Sequence, residues 1–222
     1  MAQNKQCPVI VIPGFGQSKA ALYKNGVFEK QAWPLRFDVK EMASKIIRSY
    51  LKTVLFRRDT GFTDTAYRMY ADAFEAFSYR EDGTLKNDLR IMEYTQPLSE
   101  LTERVRGYVH KLVPINALAE KIGEDNIFFF AYNAFASPLD TARELRTFID
   151  RVRKLRSAEK VSLLSFSMGG AVVTAYFDLY GDNGDIKKVF FLNSALGGSV
   201  LQADIMNGHI NNKQGYSLLG FI

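Results

Sequence analysis

The chain of 222 residues has few cysteines and histidines and no long apolar run, and each shortage excludes a class of protein. Cys7 is the only cysteine, so no disulfide can form within the chain, and no Cys/His spacing matches a zinc site. No stretch approaches the roughly 18 apolar residues that a membrane-spanning helix needs. The polar start, residues 1–6, is not typical of a secretory signal. These absences predict a cytoplasmic protein with neither a metal nor another cofactor.

Composition and charge are typical of a soluble globular protein. Hydrophobic residues make up 47% of the chain, charged residues make up 24%, and the formal net charge is +5. The densest basic cluster contains Arg151, Arg153, Lys154 and Arg156. Cations in the last turn of a helix interact favourably with its dipole, so we interpret this cluster as a solvated helix end. The sequence therefore predicts no nucleic-acid partner.

Four short apolar runs alternate with segments of helical periodicity. Continuous apolar runs are typical of buried parallel strands, and their alternation with helices implies right-handed crossovers and a parallel sheet. The clearest helix lies between the second and third runs, where Ser137 is a candidate cap and Pro138 occupies the first turn. We therefore expect an α/β fold. The runs are Val9–Ile12, residues 127–132, Val161–Phe166 and residues 188–192, and the apolar stripe of the helix is Leu139, Ala142, Leu145, Phe148, Val152 and Leu155.

The segment between the first two runs is unusually long, and the segment after the fourth run is short. Helix-like periodicity over residues 38–58, 64–78 and 99–122 predicts a long helical insertion at about 38–122, which Pro114 should interrupt. After the fourth run, no further strand–helix unit fits before Ile222. The fourth strand would then be an exposed sheet edge, and such edges are usually protected. We therefore expect the sheet to be truncated after its fourth strand, the one that follows the helix after the third run.

The strongest chemical signal lies where the third run meets a helix. There Ser165, Ser167 and Gly169 form the spacing of a G-x-S-x-G nucleophile elbow, with Gly170 next. In such an elbow the nucleophile occupies a strained turn, and small residues flank it because strand and helix nearly touch. The alternative is an ordinary tight turn in which Ser167 only caps the helix. The preceding strand and the small residues after it favour the elbow.

A glycine-rich loop follows the first run at residues 13–18, with the sequence PGFGQS. Acyl transfer needs two main-chain N–H donors aimed at the oxyanion. One donor comes from the residue after the nucleophile, here Met168, and Phe15 could supply the other from this loop. A nucleotide-binding fingerprint is the rival interpretation, but Lys19 occupies its third glycine position.

Together these motifs resemble the lecithin:cholesterol acyltransferase and lysosomal phospholipase family. The resemblance implies an α/β-hydrolase fold with a lid, an acyl-enzyme on Ser167, and Phe15 and Met168 as oxyanion donors. It also implies a lipid or other acyl-ester substrate, with acyl transfer to water or an alcohol, and transient contact with a membrane surface. The matching segments are residues 8–14 (PVIVIPG), 33–38 (WPLRFD), 130–133 (FAYN), 167–170 (SMGG) and 192–199 (LNSALGGS).

Three departures from the family bear on catalysis. Phe166 stands where the family has histidine, and Asn133 stands where it has aspartate. The catalytic aspartate and histidine of the family come after the point at which this chain ends. Asp204 and His209 follow the nucleophile in the required order, but no strand separates them to place each at the site. His110 precedes the nucleophile on a predicted helix.

The sequence therefore predicts a serine-dependent lipid-ester hydrolase or acyltransferase with an incomplete triad and little turnover by this chain alone. The alternative is a non-catalytic relative that binds a hydrophobic ligand or a partner through the same cleft. In the first case a fluorophosphonate probe should label Ser167 slowly or not at all. In the second case the affinity for the ligand does not depend on Ser167.

Overall fold

The computed structural model describes residues 6–34, 47, 50, 51, 54–57, 61, 64, 67, 68, 71, 72 and 74–198. Two sheets and four α-helices form the framework of that part of the chain, and the described residues from 47 to 74 include further helical ones. The strands are β1 (Val9–Ile12), β2 (Ala20–Lys24), β3 (Val27–Trp33), β4 (Asp88–Ile91), β5 (Ile127–Phe129), β6 (Val161–Phe166) and β7 (Ile186–Leu192). The helices are α1 (Glu103–Leu112), α2 (Asn116–Ile122), α3 (Pro138–Arg156) and α4 (Gly169–Tyr180).

The central sheet is parallel, which confirms the α/β prediction. Its strand order is β5-β1-β6-β7, and β1 pairs with β5 through Val9 and Ile127 and with β6 through Val9 and Ser162. The chain passes from β1 outward to β5, then back beyond β1 to β6 and on to β7. The strand β5 is shorter than the apolar run that predicted it, and β7 begins two residues earlier.

Side chains of alternate residues on the strands build a separate core on each face of the sheet. One core joins Ile10, Ile12 and Phe128 to α3 and α4. The other joins Val9, Val11 and Phe129 to α1 and to the residues between α1 and α2. The connection from β1 to β5 and the connection from β5 to β6 therefore run in opposite directions on opposite faces. This placement gives both connections the same hand, as the crossover rule requires.

Helix α3 begins and packs as the sequence predicts. The side chain of Ser137 accepts a hydrogen bond from the Leu139 N–H at 3.3 Å, and Pro138 lies in the first turn. Ala142, Leu145, Phe148 and Val152 are buried. Leu139 and Leu155, the first and last residues of the predicted apolar stripe, are exposed, so only the middle of the stripe is buried.

A small antiparallel sheet, which the sequence reading missed, stands beside the first loop. Its order is β3-β2-β4, and Asn25 and Gly26, both with positive φ, form the turn between β2 and β3. Two successive positive φ angles are typical of the tight turns that match strand twist, and Asn-Gly is their strongest sequence signal. Strand β4 lies inside the segment predicted to be helical, whereas the break between α1 and α2 falls at Pro114 as predicted. In the described ranges, no helix is both long and apolar enough to cross a bilayer.

Candidate functional site

The two loops that carry the sequence motifs meet at one point of the sheet. Strands β1 and β6 are neighbours, and the chain leaves β1 toward β5 but leaves β6 toward β7. In open parallel sheets, a crevice forms at the carboxyl ends of two neighbouring strands whose connections diverge in this way. The loop at residues 13–18 and the turn at Ser167 both follow these carboxyl ends. The topology therefore places both motifs at the position where such folds bind ligands.

Ser167 occupies the sharp turn that an elbow requires. It lies between the end of β6 at Phe166 and the start of α4 at Gly169, it is exposed, and its φ is +47°. A positive φ is uncommon for serine and costs about 1–3 kcal/mol, so the surroundings must hold it. The Ser167 N–H donates to the Leu192 carbonyl at 3.4 Å, and the Ser167 carbonyl accepts from the Gly170 and Ala195 N–H groups at 3.1 and 3.2 Å.

Glycines allow the three segments around Ser167 to touch. A Cβ on Gly169 would lie 2.5 Å from the Ile12 carbonyl oxygen, and a Cβ on Gly170 would lie 2.6 Å from the Ser194 Cβ. A Cβ on Gly14 would lie 2.9 Å from the Ser167 Cβ. Each of these distances is shorter than the contacts that Cβ atoms make in real proteins. The loop after β1 is therefore in direct van der Waals contact with the proposed nucleophile.

Ser165 replaces the first glycine of the elbow pattern without disturbing the turn. Its side chain is fully buried and lies 3.2 Å from the Ser194 hydroxyl and 3.4 Å from the Phe190 carbonyl. A hydroxyl of this size fits between β6 and β7 and satisfies its hydrogen-bonding groups there. The departure from glycine at this position is therefore compatible with the elbow.

The two proposed oxyanion donors are the main-chain N–H groups of Phe15 and Met168. The Met168 N–H belongs to the residue after Ser167, and the Phe15 N–H is joined to the Gly14 Cα through a single carbonyl carbon. Within the part of the chain that the structure describes, no carbonyl or side chain accepts a hydrogen bond from either N–H. Both donors are therefore free to bind an oxygen that forms at Ser167.

Comparison with protein-family models and with curated proteins finds no match for the chain. The interpretation of the site consequently depends on its geometry and on the chemistry of its residues.

Three side chains hold the glycine-rich loop: Trp33 and Tyr132 from other segments, and Gln17 from the loop itself. The Trp33 indole N–H donates to the Gly16 carbonyl, and the Tyr132 hydroxyl donates to the Pro13 carbonyl at 2.8 Å. The Gln17 side chain accepts from the Gly14 N–H at 2.6 Å. The roles of Trp33 and Tyr132 could not be predicted from the sequence, because these residues contact the loop only through the tertiary fold.

Burial raises the pKa of the Tyr132 hydroxyl well above its usual range. The folded state therefore favours the neutral phenol, which is the form that donates to the Pro13 carbonyl. The stability from this contact is fully present below the unfolded pKa of about 10 and is lost only as pH rises through the higher folded value. The loop thus keeps this hydrogen bond at neutral and mildly alkaline pH.

An aromatic cluster lines the same side of the site. The Phe15 side chain is half exposed, and its ring centroid lies 5.2 Å from that of Phe135 and 6.1 Å from that of Trp33. Phe77 packs on Phe135 with ring centroids 4.4 Å apart, and Phe74 contacts both Trp33 and Phe135. The cluster gives the loop an apolar surface next to Ser167.

Asn133, which replaces aspartate in the resemblance, supports this aromatic cluster. Its side-chain N–H donates to the Tyr79 hydroxyl at 2.9 Å, and its side-chain oxygen accepts from the Phe135 N–H at 3.0 Å. The amide satisfies both partners, since it donates to the hydroxyl and accepts from the main-chain N–H. The asparagine therefore suits the local structure.

Of the histidines, only His110 lies within the described residues. His110 lies on α1, where its ring nitrogens contact Asn116 at 2.6 Å and Glu124 at 2.8 Å, so it joins α1 to the residues around α2. Asp204 and His209 lie outside the described residues. Over the described ranges, no three His, Cys, Asp or Glu side chains form a group that could hold a metal ion.

Proposed function

We propose that the chain is an α/β-hydrolase-like protein that forms an acyl-enzyme on Ser167 and acts as a lipid-ester hydrolase or acyltransferase. The observation that carries the proposal is the contact between the Ser167 turn and Gly14, where a Cβ would meet the Ser167 Cβ at 2.9 Å. An ordinary capping serine needs no such partner. Acyl transfer uses an exposed hydroxyl on a positive-φ turn, and the Phe15 and Met168 N–H groups, which no described residue accepts from, could serve as its oxyanion donors.

The reaction starts when the Ser167 Oγ attacks the carbonyl carbon of an ester. The Phe15 and Met168 N–H groups stabilise the negative charge that develops on the carbonyl oxygen. The C–O ester bond then breaks, the alcohol leaves with a proton, and the acyl group stays on Ser167. Water or an acceptor alcohol releases the acyl group by the reverse steps.

The expected rate is low because a serine needs a base to become a good nucleophile. His110 is engaged between α1 and α2, so we expect the Ser167 proton to pass to water. In studied hydrolases, oxyanion binding and substrate binding without the triad retain rate enhancements of about a thousandfold over water. A measurable but slow reaction at Ser167 is therefore the expected behaviour.

Exposed apolar residues support a lipid substrate. The aromatic cluster at Phe15 offers an acyl chain an apolar surface beside the nucleophile. Further apolar side chains recur at helical spacing on helical residues and are more than half exposed, as in helices that lie on membrane surfaces. These residues are Ile47, Tyr50, Leu51 and Val54. Both features support transient contact with a lipid surface.

Labelling with an alkyl fluorophosphonate tests the proposal. The Ser167 Oγ attacks phosphorus, fluoride leaves, and the serine proton passes to solvent. We expect intact-mass measurement to show one adduct, peptide mapping to place it on Ser167, and Ser167→Ala to abolish it. Labelling should take hours at high probe concentration, because no described residue acts as the base.

Ser137 offers a matched control, since it also lies at the amino terminus of a helix but has an ordinary φ of −58°. We expect Ser137→Ala to label like the wild type, although it loses a cap worth about 1 kcal/mol. Labelling of Ser137, or a Ser167→Ala protein that still forms the adduct, would contradict the elbow. Absence of any adduct after prolonged exposure would contradict it as well.

The alternative function, binding of a hydrophobic ligand without catalysis, is favoured by the half-exposed Phe15 ring. It predicts that a long-chain alcohol binds the wild type and Ser167→Ala with equal affinity and that no adduct forms. An adduct confined to Ser167 decides in favour of the acyl-enzyme.

A further inference from the structure

The loop at residues 13–18 can serve as an oxyanion site only if its main chain presents the Phe15 N–H toward Ser167. Resting on the proposed function, we propose that Gln17 is the positioning residue that fixes this N–H. Gln17 does not touch the reacting atoms. It acts through the main chain of Gly14, the residue that precedes the Phe15 N–H.

The Gln17 amide bridges the loop to the end of α1. Its oxygen accepts from the Gly14 N–H at 2.6 Å, and its N–H donates to the Leu112 carbonyl at 2.8 Å. Leu112 is the last residue of α1, and carbonyls in the last turn of a helix have no partner within the helix. The bridge therefore joins the loop to the end of α1. It also gives the Leu112 carbonyl a hydrogen-bond partner that water would otherwise supply.

At neutral pH an amide side chain of this length is suited to both contacts. The contact to Gly14 needs an acceptor, and the contact to Leu112 needs a donor. A glutamate carboxylate accepts but cannot donate, a lysine donates but cannot accept, and a methionine does neither well. Position 17 therefore needs a side chain that satisfies one main-chain donor, the Gly14 N–H, and one main-chain acceptor, the Leu112 carbonyl.

The position of Gly14 explains why this bridge matters for Ser167. A Cβ on Gly14 would lie 2.9 Å from the Ser167 Cβ and 3.4 Å from the Gln17 side-chain oxygen. Gly14 is therefore enclosed between the proposed nucleophile and Gln17. Because the Gly14 N–H is bound to Gln17, the next N–H along the loop, that of Phe15, is the one left to meet the oxyanion.

Two other side chains fix the loop on each side of this point. Tyr132 holds the Pro13 carbonyl, Trp33 holds the Gly16 carbonyl, and the Ser18 hydroxyl accepts from the Tyr132 N–H at 3.0 Å. Gln17 is distinct from these anchors because it alone binds an N–H of the loop. Its removal should rotate the peptide units around Gly14 while the flanking anchors stay in place.

The test measures how Gln17→Met and Gln17→Glu react with the alkyl fluorophosphonate over a range of probe concentrations. Loss of a correctly placed oxyanion donor lowers reaction rates by roughly a hundredfold. We expect the maximal rate of Ser167 labelling in Gln17→Met to fall by about tenfold to a hundredfold, while the probe concentration for half-maximal rate changes less than about twofold. If Gln17 only stabilised the fold, its loss would change both the maximal rate and the half-maximal probe concentration, or neither of them.

Gln31→Met is the matched control, since the Gln31 side chain also donates to a main-chain carbonyl, that of Pro34, at 2.8 Å. It lies on β3 rather than in the loop, so we expect it to label like the wild type. A similar loss of rate in Gln31→Met and Gln17→Met would overturn the proposal.

The Gln17→Glu variant should regain both contacts at low pH, where its carboxyl group is protonated. At neutral pH its carboxylate cannot donate to the Leu112 carbonyl, but below a pH of about 4.3 the protonated acid both accepts and donates. We expect the labelling rate of Gln17→Glu, relative to the wild type at the same pH, to rise as the pH falls below about 5. A ratio that stays constant with pH would count against the bridge.

Amide hydrogen exchange at Gly14, followed by NMR, tests the same claim without using reactivity. Exchange at this amide should accelerate by at least about tenfold in Gln17→Met, since its side-chain acceptor is removed. Unchanged exchange would overturn the proposal. If the wild type labels at Ser167 and the Gln17 variants label equally fast, the positioning role alone fails. If the wild type never labels, the proposed function fails and the positioning role fails with it.

Discussion

Replacing Gly169 with alanine should lower the free energy of unfolding by about 3 kcal/mol or more, the upper range for overpacked sites. The added Cβ would lie 2.5 Å from the Ile12 carbonyl oxygen and 2.7 Å from the Pro13 carbonyl oxygen. Both oxygens belong to the main chain of the central strand and its loop, so neither can rotate away. Thermal unfolding should shift down by roughly 6–12 °C for a chain of this length.

Gly107 provides the control for this substitution. It lies inside α1 with an ordinary helical φ, and a Cβ there would meet nothing within 4 Å. Gly107→Ala should therefore raise stability by about 0.5–1 kcal/mol through helix propensity. Equal effects of the two substitutions would show that α4 does not pack against the end of β1 as the structure describes. Chemical denaturation of both variants decides the matter.

Replacing Arg146 with methionine should lower the free energy of unfolding by about 3–4 kcal/mol, because it leaves a buried carboxylate without its cation. Asp185 is 2% exposed, and its carboxylate lies 2.5 Å from the Arg146 guanidinium and 2.7 Å from the Tyr176 hydroxyl. These three residues join α3, α4 and the loop before β7. Tyr176 alone offers one hydrogen bond and no charge. Urea denaturation of the variant measures the loss.

The control is Arg143→Met on the same helix. Arg143 pairs with Asp140 at 2.6 Å, nearly the same distance, but both side chains are more than half exposed. Exposed pairs contribute at most about 1 kcal/mol, so we expect a change within about 0.5 kcal/mol. A loss of similar size in both variants would contradict the claim that burial of Asp185 makes the difference.

The central sheet and the sharp turn at Ser167 could be predicted because their signals are local. The apolar runs at Val9–Ile12 and Val161–Phe166 match β1 and β6 to the residue. The turn at Ser167 follows from the need for small residues where strand and helix touch, and Gly169 and Gly170 meet that need. Ser137 and Pro138 began α3 as their capping chemistry predicts.

The support of the site could not be predicted, because it comes from contacts between distant segments. Gln17 reaches Leu112 and Tyr132 reaches Pro13, and neither pair leaves a periodic pattern in the sequence. The small sheet was missed for a different reason. Asn25 and Gly26 give its turn a local signal, but β4 has only four residues, two of them charged and exposed, and so lacks the apolar run that predicts a strand. Long-range contacts and short polar strands therefore leave the weakest signals in the sequence.

A crystal structure of the fluorophosphonate adduct tests the central claim most directly. The account predicts phosphorus bonded to the Ser167 Oγ, with one phosphoryl oxygen about 2.7–3.1 Å from both the Phe15 and Met168 nitrogens. It also predicts that the alkyl chain packs along Phe15 and Phe135. A phosphoryl oxygen that faces solvent, or one that contacts neither main-chain nitrogen, would contradict the account.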